Sequence, residues 1–179
     1  MKNTVHSLVL GTAFLIALGL VTSPALAVQV GDVLKNVNIK DAEDEPATIP
    51  YWGEKVLTIF YTDPDVSDQN DPFADLLDAA NLPEAKHKGI GIANMKDAPL
   101  KPNFVIRAII RGKIEKYDTI ILTDPDQVIP GAWNLGDCND LSVVLVIDKT
   151  GTVRYVKKGA MSRKDQEEAM AIIRGLIGE

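Results

Sequence analysis

The chain has 179 residues, 46% apolar and 25% charged, which is the composition of one ordinary globular domain and not of a disordered or collagen-like chain. Nineteen Lys and Arg against 25 Asp and Glu give a net charge of −6, which argues against a nucleic-acid partner held by phosphate neutralisation. One cysteine excludes an intrachain disulfide, a CxxC pair and a Cys-rich zinc site, and two histidines, His6 and His87, leave little for a His-based metal centre or a Ser-His triad.

Residues 1–27 read as a cleaved secretory signal. Lys2 gives the positive start and Leu8 to Val21 the apolar run. Ser23-Pro24 breaks that run before Ala25-Leu26-Ala27, a small-x-small cleavage pattern. The run is shorter than the ~20 residues a bilayer span needs, and no cysteine follows it to carry a lipid anchor. The expected product is a periplasmic domain over residues 28–179 with no membrane contact after cleavage. In that oxidising compartment its lone thiol has no second cysteine in the chain.

In chain order, Val28-Gln29-Val30-Gly31-Asp32 opens the domain, Val37-Asn38-Ile39 alternates, and Asp41 to Glu45 reads as a solvated acidic turn. Val56 to Tyr61 lacks polar alternation beyond Thr58 and predicts a strand buried on both faces. Thr62 to Asp71 predicts a loop. A helix follows, capped by Asp71 with Pro72 at its first position, and Phe73, Leu76, Leu77 and Ala80 form its apolar face. His87 falls in a polar connector and is expected to be solvated. Lys88 to Met95 predicts a second buried strand whose glycines imply close packing. A helix from Lys101-Pro102 to Tyr117 turns Ile106, Ile110, Ile114 and Tyr117 inward, and Thr119 to Thr123 predicts a third strand. Asp124 to Asp140 reads as irregular. Leu141 to Ile147 and Thr152 to Val156 flank the turn Asp148 to Gly151 as a hairpin. Ser162 caps the last helix and Gly178 ends it. Strand-helix alternation forces parallel pairing and the hairpin adds an antiparallel part. The expected fold class is α/β, a mixed sheet with central parallel strands, a C-terminal hairpin and helices on both faces.

Val30-Gly31-Asp32, Gly53-Glu54-Lys55 before the first core strand, and Leu145-Val146-Ile147-Asp148-Lys149-Thr150-Gly151 in the hairpin resemble the redoxin type of thioredoxin-like fold. More narrowly, Ser142 to Gly159 and the stretch from Leu122-Thr123-Asp124 to Trp133 resemble the YtfJ-type exported proteins, a thioredoxin-fold group of unknown function. In redox-active redoxins a CxxC pair follows the first core strand, where a helix N-terminus lowers the thiol pKa. The resemblance places those cysteines at Asp65 and Asp68, and the usual cis-proline at Ser142, so it implies a redoxin without dithiol chemistry.

Thr62-Asp63-Pro64-Asp65 and Thr123-Asp124-Pro125-Asp126 each follow a predicted core strand. In a parallel sheet the strands' C-terminal ends share one edge, where ligand crevices form. Asp63, Asp65, Asp68, Asp124 and Asp126 would give that edge a negative field suited to a divalent cation or a basic ligand. Equally, Asp-Pro is turn chemistry that ends a strand, and Asp63-x-Asp65 matches a calcium loop poorly, with Pro64 inside it and Asp68 where the loop needs Gly. Cys138 reads either as a peroxidatic thiol or as a small buried hydrophobe, and Asp137 and Asp140 disfavour its thiolate. Trp133 either covers a ligand or packs a core end. No metal centre and no cofactor is expected. The leading reading is a binding or accessory role for an unknown protein or small ligand, through Thr62 to Asp71, Asp124 to Asp140 and Ser142. The alternatives are a one-cysteine thiol oxidoreductase or peroxidase using Cys138, and a partner-docking module using the hairpin and last helix.

Overall fold

The computed structural model describes residues 27–97 and 103–179. Nearly all of the expected leader, and the helix start expected at Lys101-Pro102, lie outside them. Two short strands, β1 (Asn38–Lys40) and β2 (Pro46–Thr48), pair antiparallel. Asp41 closes the turn between them, its Oδ1 accepting from the Glu43 and Glu45 N–H groups. The acidic stretch is therefore a hairpin turn, and β2 went unread because three residues carry too little pattern.

The expected alternation follows: β3 (Val56–Thr62), α1 (Asp71–Ala79), β4 (His87–Ala93), α2 (Asn103–Tyr117) and β5 (Ile120–Thr123). Then come α3 (Val128–Ala132), β6 (Ser142–Ile147), β7 (Val153–Lys158) and α4 (Arg163–Ile177). The sheet order is β2-β1-β5-β4-β3-β6-β7, with β3–β4 and β4–β5 parallel and the other pairs antiparallel. This is the α/β mixed sheet the sequence predicts. The stretch 124–140, read as irregular, contains α3, a helix of five residues that is too short to leave a periodic pattern.

Steps from β3 to β4 to β5 run in one direction, so two right-handed crossovers put α1 and α2 on the same face. The α4 helix joins them there, packing Ala169, Met170 and Ile173 with Val56, Val144, Val146 and Phe73. On the opposite face Leu57, Ile59, Tyr61, Ile90 and Leu145 pack under Ile49, Ile129 and Trp133. Helices thus lie on both faces, unequally, with α3 alone on the second.

Helix ends carry the chain's local logic. Ser162 and Asp165 form a reciprocal capping box on α4, and Gly178 leaves that helix at φ 77. At α1 the expected cap is corrected: Asn70, not Asp71, is the N-cap residue, and its side chain makes no cap bond. Its amide is committed elsewhere, donating to the Gly159 carbonyl at 3.2 Å and accepting from the Met161 N–H at 2.9 Å. Asn70 therefore ties the start of α1 to the β7–α4 connection, and Asp71 is free to pair with Lys113.

Candidate functional site

The C-terminal ends of β3 and β4, with the start of β6, form one edge, where Thr62 lies opposite both Ala93 and Ser142. Both Thr-Asp-Pro-Asp copies sit there, and their first carboxylates turn inward to backbone. Asp63 accepts from the Asp65 and Asp140 N–H groups, each at 2.8 Å. Burial raises the Asp63 pKa, and these two N–H groups oppose the rise. Asp124 accepts from Val128 N–H at 2.8 Å, Ile129 N–H at 3.0 Å and the Tyr61 hydroxyl at 3.2 Å, which caps α3. Asp68 is exposed and pairs with Lys113 at 3.3 Å; Asp65 is half-buried and Asp126 is exposed. Among the described residues no three His, Cys, Asp or Glu side chains come together in an arrangement that could hold a metal ion.

Thr62 Oγ1 and Ser142 Oγ share a hydrogen bond of 2.8 Å, and the Ser142 N–H donates to Gln69 Oε1 at 3.0 Å. A proline at 142 could not make that second bond. Cys138 lies away from this network. It is 2% exposed in the opposite-face core beside Trp133 and Leu135, with Sγ 3.5 Å from the Gly136 carbonyl oxygen. Trp133 is a core-end residue: its Nε1–H donates to the Lys35 carbonyl at 2.9 Å and its ring lies 5.8 Å from that of Trp52.

A cleft of about 280 Å³ opens on the three-helix face, between α1 and α2 and above β4. Of the two glycines that β4 presents there, Gly89 leaves the floor open. A Cβ built on Gly89 would meet nothing within 4 Å, whereas one on Gly91 would come 3.0 Å from Ile121 Cγ1. The walls are apolar, with Ala74 and Leu77 from α1 and Ile106 and Ile110 from α2. Polar side chains bridge the two helices at the rim: Lys113 meets Asp71, and the Tyr117 hydroxyl donates to Asp75 at 2.8 Å. Burial, ahead of the nearby Asp71 and Asp75 charges, pushes the Tyr117 pKa up to about 12. Thr62 and Ser142 stand at one end of the cleft, and His87 and Glu84 at the other.

His87 corrects the sequence reading. Expected in a solvated connector, it is 7% exposed, and its Nε2 lies 2.9 Å from Thr58 Oγ1. Burial first, and the Lys88 charge second, press its pKa down to about 4, so the ring is neutral near pH 7. The strand begins one residue earlier than read. With period two, His87, Gly89, Gly91 and Ala93 then share one face, and that alternation was the signal available in the sequence.

The sequence signature of the family described as "Bacterial protein of unknown function (YtfJ_HI0045)" matches residues 55–176. A Haemophilus influenzae relative, "Uncharacterized protein", is 29% identical over 60% of this chain and 58% of its own length. The Escherichia coli K12 relative "Uncharacterized protein YtfJ" is 25% identical over 62% of this chain and 59% of its own. The chain thus spans less than two thirds of the length of these curated relatives. The solved thioredoxin-like superfamily protein SPOA0173 superposes with a TM-score of 0.63 at 18% identity, covering 82% of this chain and 97% of that one. Peroxidoxin BcpB from Mycobacterium tuberculosis gives 0.61 at 17%, covering 83% and 98%. These likenesses establish the thioredoxin-like fold, and the match over residues 55–176 places the chain in the YtfJ_HI0045 family.

Proposed function

We propose that this protein is a periplasmic binding or accessory protein that uses a thioredoxin-like frame without thiol chemistry. The observation that carries the reading is the fate of the edge after β3. Where the redoxin resemblance puts two cysteines stand Asp65, whose N–H is held by Asp63, and Asp68, which pairs with Lys113, and beside them Thr62, Gln69 and Ser142 close the edge by hydrogen bonds. The one thiol, Cys138, is buried in the core on the opposite face of the sheet. Export is supported by the residue pattern of 1–27.

The test is thiol turnover. Purified protein is offered insulin disulfides with reductant, then stoichiometric peroxide with dimedone, beside a Cys138→Ser variant. The expected result is turnover at the blank rate for both proteins and no dimedone adduct on folded protein. An adduct at Cys138, or turnover lost in Cys138→Ser, would overturn the reading and make the protein a one-cysteine thiol enzyme. Intact mass from a periplasmic fraction tests export: cleavage after Ala27 is expected, and a chain retaining residues 1–27 contradicts it.

A further inference from the structure

We propose that the cleft between α1 and α2 binds an uncharged single-chain acyl compound, whose chain lies over Gly89 and Gly91 and whose carbonyl oxygen accepts a hydrogen bond from His87. The proposal rests on the binding reading above and names the ligand class. Its first support is shape. The cleft follows β4 along a seven-residue strand, a length of roughly 20 Å at the usual rise per residue. A volume of about 280 Å³ lined along that strand gives room for one acyl chain. The floor is bare backbone at Gly89, where a Cβ would touch nothing, and the walls are aliphatic. Natural interiors rarely leave such space unfilled, and small-molecule sites are concave, apolar and carry a few placed polar groups.

His87 is the placed polar group. It is buried, it lines the cleft, and Thr58 is the one hydrogen-bond partner of its ring among the described residues. Thr58 is itself fully buried, with no other side-chain hydrogen bond among the described residues. Among the described residues the Thr58 hydroxyl has no acceptor but His87 Nε2, which assigns the hydroxyl as donor and Nε2 as acceptor. With that assignment the proton of the neutral ring sits on Nδ1, a donor with no protein acceptor among the described residues and open to one from a ligand in the cleft.

The charges select the headgroup. Asp71, Asp78, Glu84 and Asp118 line the cleft against Lys88 and Lys113. Both lysines are engaged, Lys88 with Glu84 and the Asp118 carbonyl, and Lys113 with Asp71 and Asp68. A carboxylate would meet net repulsion there, whereas an ester or amide carbonyl would not.

The experiment titrates the purified chain with monodecanoylglycerol below its micelle concentration, by calorimetry and by amide shifts in ¹H–¹⁵N spectra. One molecule per chain is expected, with shifts at Gly89 and Gly91, and with decanoate binding at least tenfold more weakly. Gly89→Val fills the floor and should weaken binding at least tenfold while unfolding at the same temperature or higher. His87→Phe keeps the bulk, removes the donor and should weaken binding about fivefold. Absence of binding by the wild type, equal affinity for decanoate, or undiminished binding by a folded Gly89→Val protein would each overturn the proposal. A protein that ignores the probe yet shows no thiol turnover loses this inference alone. Thiol turnover removes the underlying reading whatever the titration gives.

Discussion

Acid should weaken this protein through His87 before its carboxylates titrate. The folded ring has a pKa of about 4, against ~6.5 for an unfolded histidine. As pH falls, the unfolded state takes up the proton first. The stabilisation is therefore fully present above about pH 6.5 and is lost progressively between there and about pH 4. The gap corresponds to about 3 kcal/mol in all, and about 2 kcal/mol of it goes between pH 7 and pH 5. For a domain of this size that is a fall of roughly 4–8 °C in melting temperature. The assay is urea unfolding followed by circular dichroism at pH 7, 6 and 5 and constant ionic strength, for the wild type and for His87→Gln. The variant is less stable at pH 7, because Thr58 loses its partner, but its stability should vary much less with pH. Asp63, whose pKa is raised, gains stability on acidification in both proteins and cancels in the difference. Parallel pH slopes for wild type and variant would refute the reasoning, because they would mean the folded ring accepts its proton as readily as the unfolded one.

Other substitutions test the frame around the site. Asp124→Ala strips the buried acceptor from Val128 N–H, Ile129 N–H and the Tyr61 hydroxyl. It should cost about 2–3 kcal/mol in urea unfolding, and Asp124→Asn should recover part of this. Two glycine substitutions should move stability in opposite directions. Gly151→Ala places a Cβ 2.7 Å from the Leu34 carbonyl oxygen at φ +81 and should cost more than ~2 kcal/mol. Gly89→Ala enters open space and should raise stability by about 0.5–1 kcal/mol. Cys138→Ser puts a hydroxyl into the apolar cluster holding Trp133 and Leu135, so a loss of about 1–2 kcal/mol is expected, with affinity for monodecanoylglycerol unchanged in calorimetry.

How much of this was legible depends on where each signal resides. The strands Val56–Thr62 and Ser142–Ile147 are buried almost throughout, so their unbroken apolar runs read directly. The Ser162 cap depends on residues within one turn of each other and read equally well. His87 did not, because its neighbours Lys86 and Lys88 are charged and its burial comes from the strands and helices that close over it. Nor did the cleft. A glycine in a strand marks close packing or empty space with the same letter. At Gly91 a Cβ would crowd Ile121 and at Gly89 it would meet nothing, a difference set by where α1 and α2 stand.

The start of α1 links the two halves of this reading. In a dithiol redoxin the end of that helix presents the thiols, so its position serves the exposed edge. Here Asn70 ties it to Gly159 and Met161 behind the edge, while Asp68 and Asp71 tie it to Lys113 across the cleft. These polar side chains at the helix start thus bond to neighbouring elements, and none is spent on a reacting group. The repeated Asp-Pro turns act in the same sense, since Asp63 and Asp124 hold backbone N–H groups at the strand ends. An edge stiffened by buried carboxylates is poorly suited to disulfide exchange, which needs an accessible thiolate. The separation of α1 and α2 over Gly89 is held instead by the Lys113–Asp71 and Tyr117–Asp75 contacts across the rim, and that separation is what a chain-shaped ligand requires.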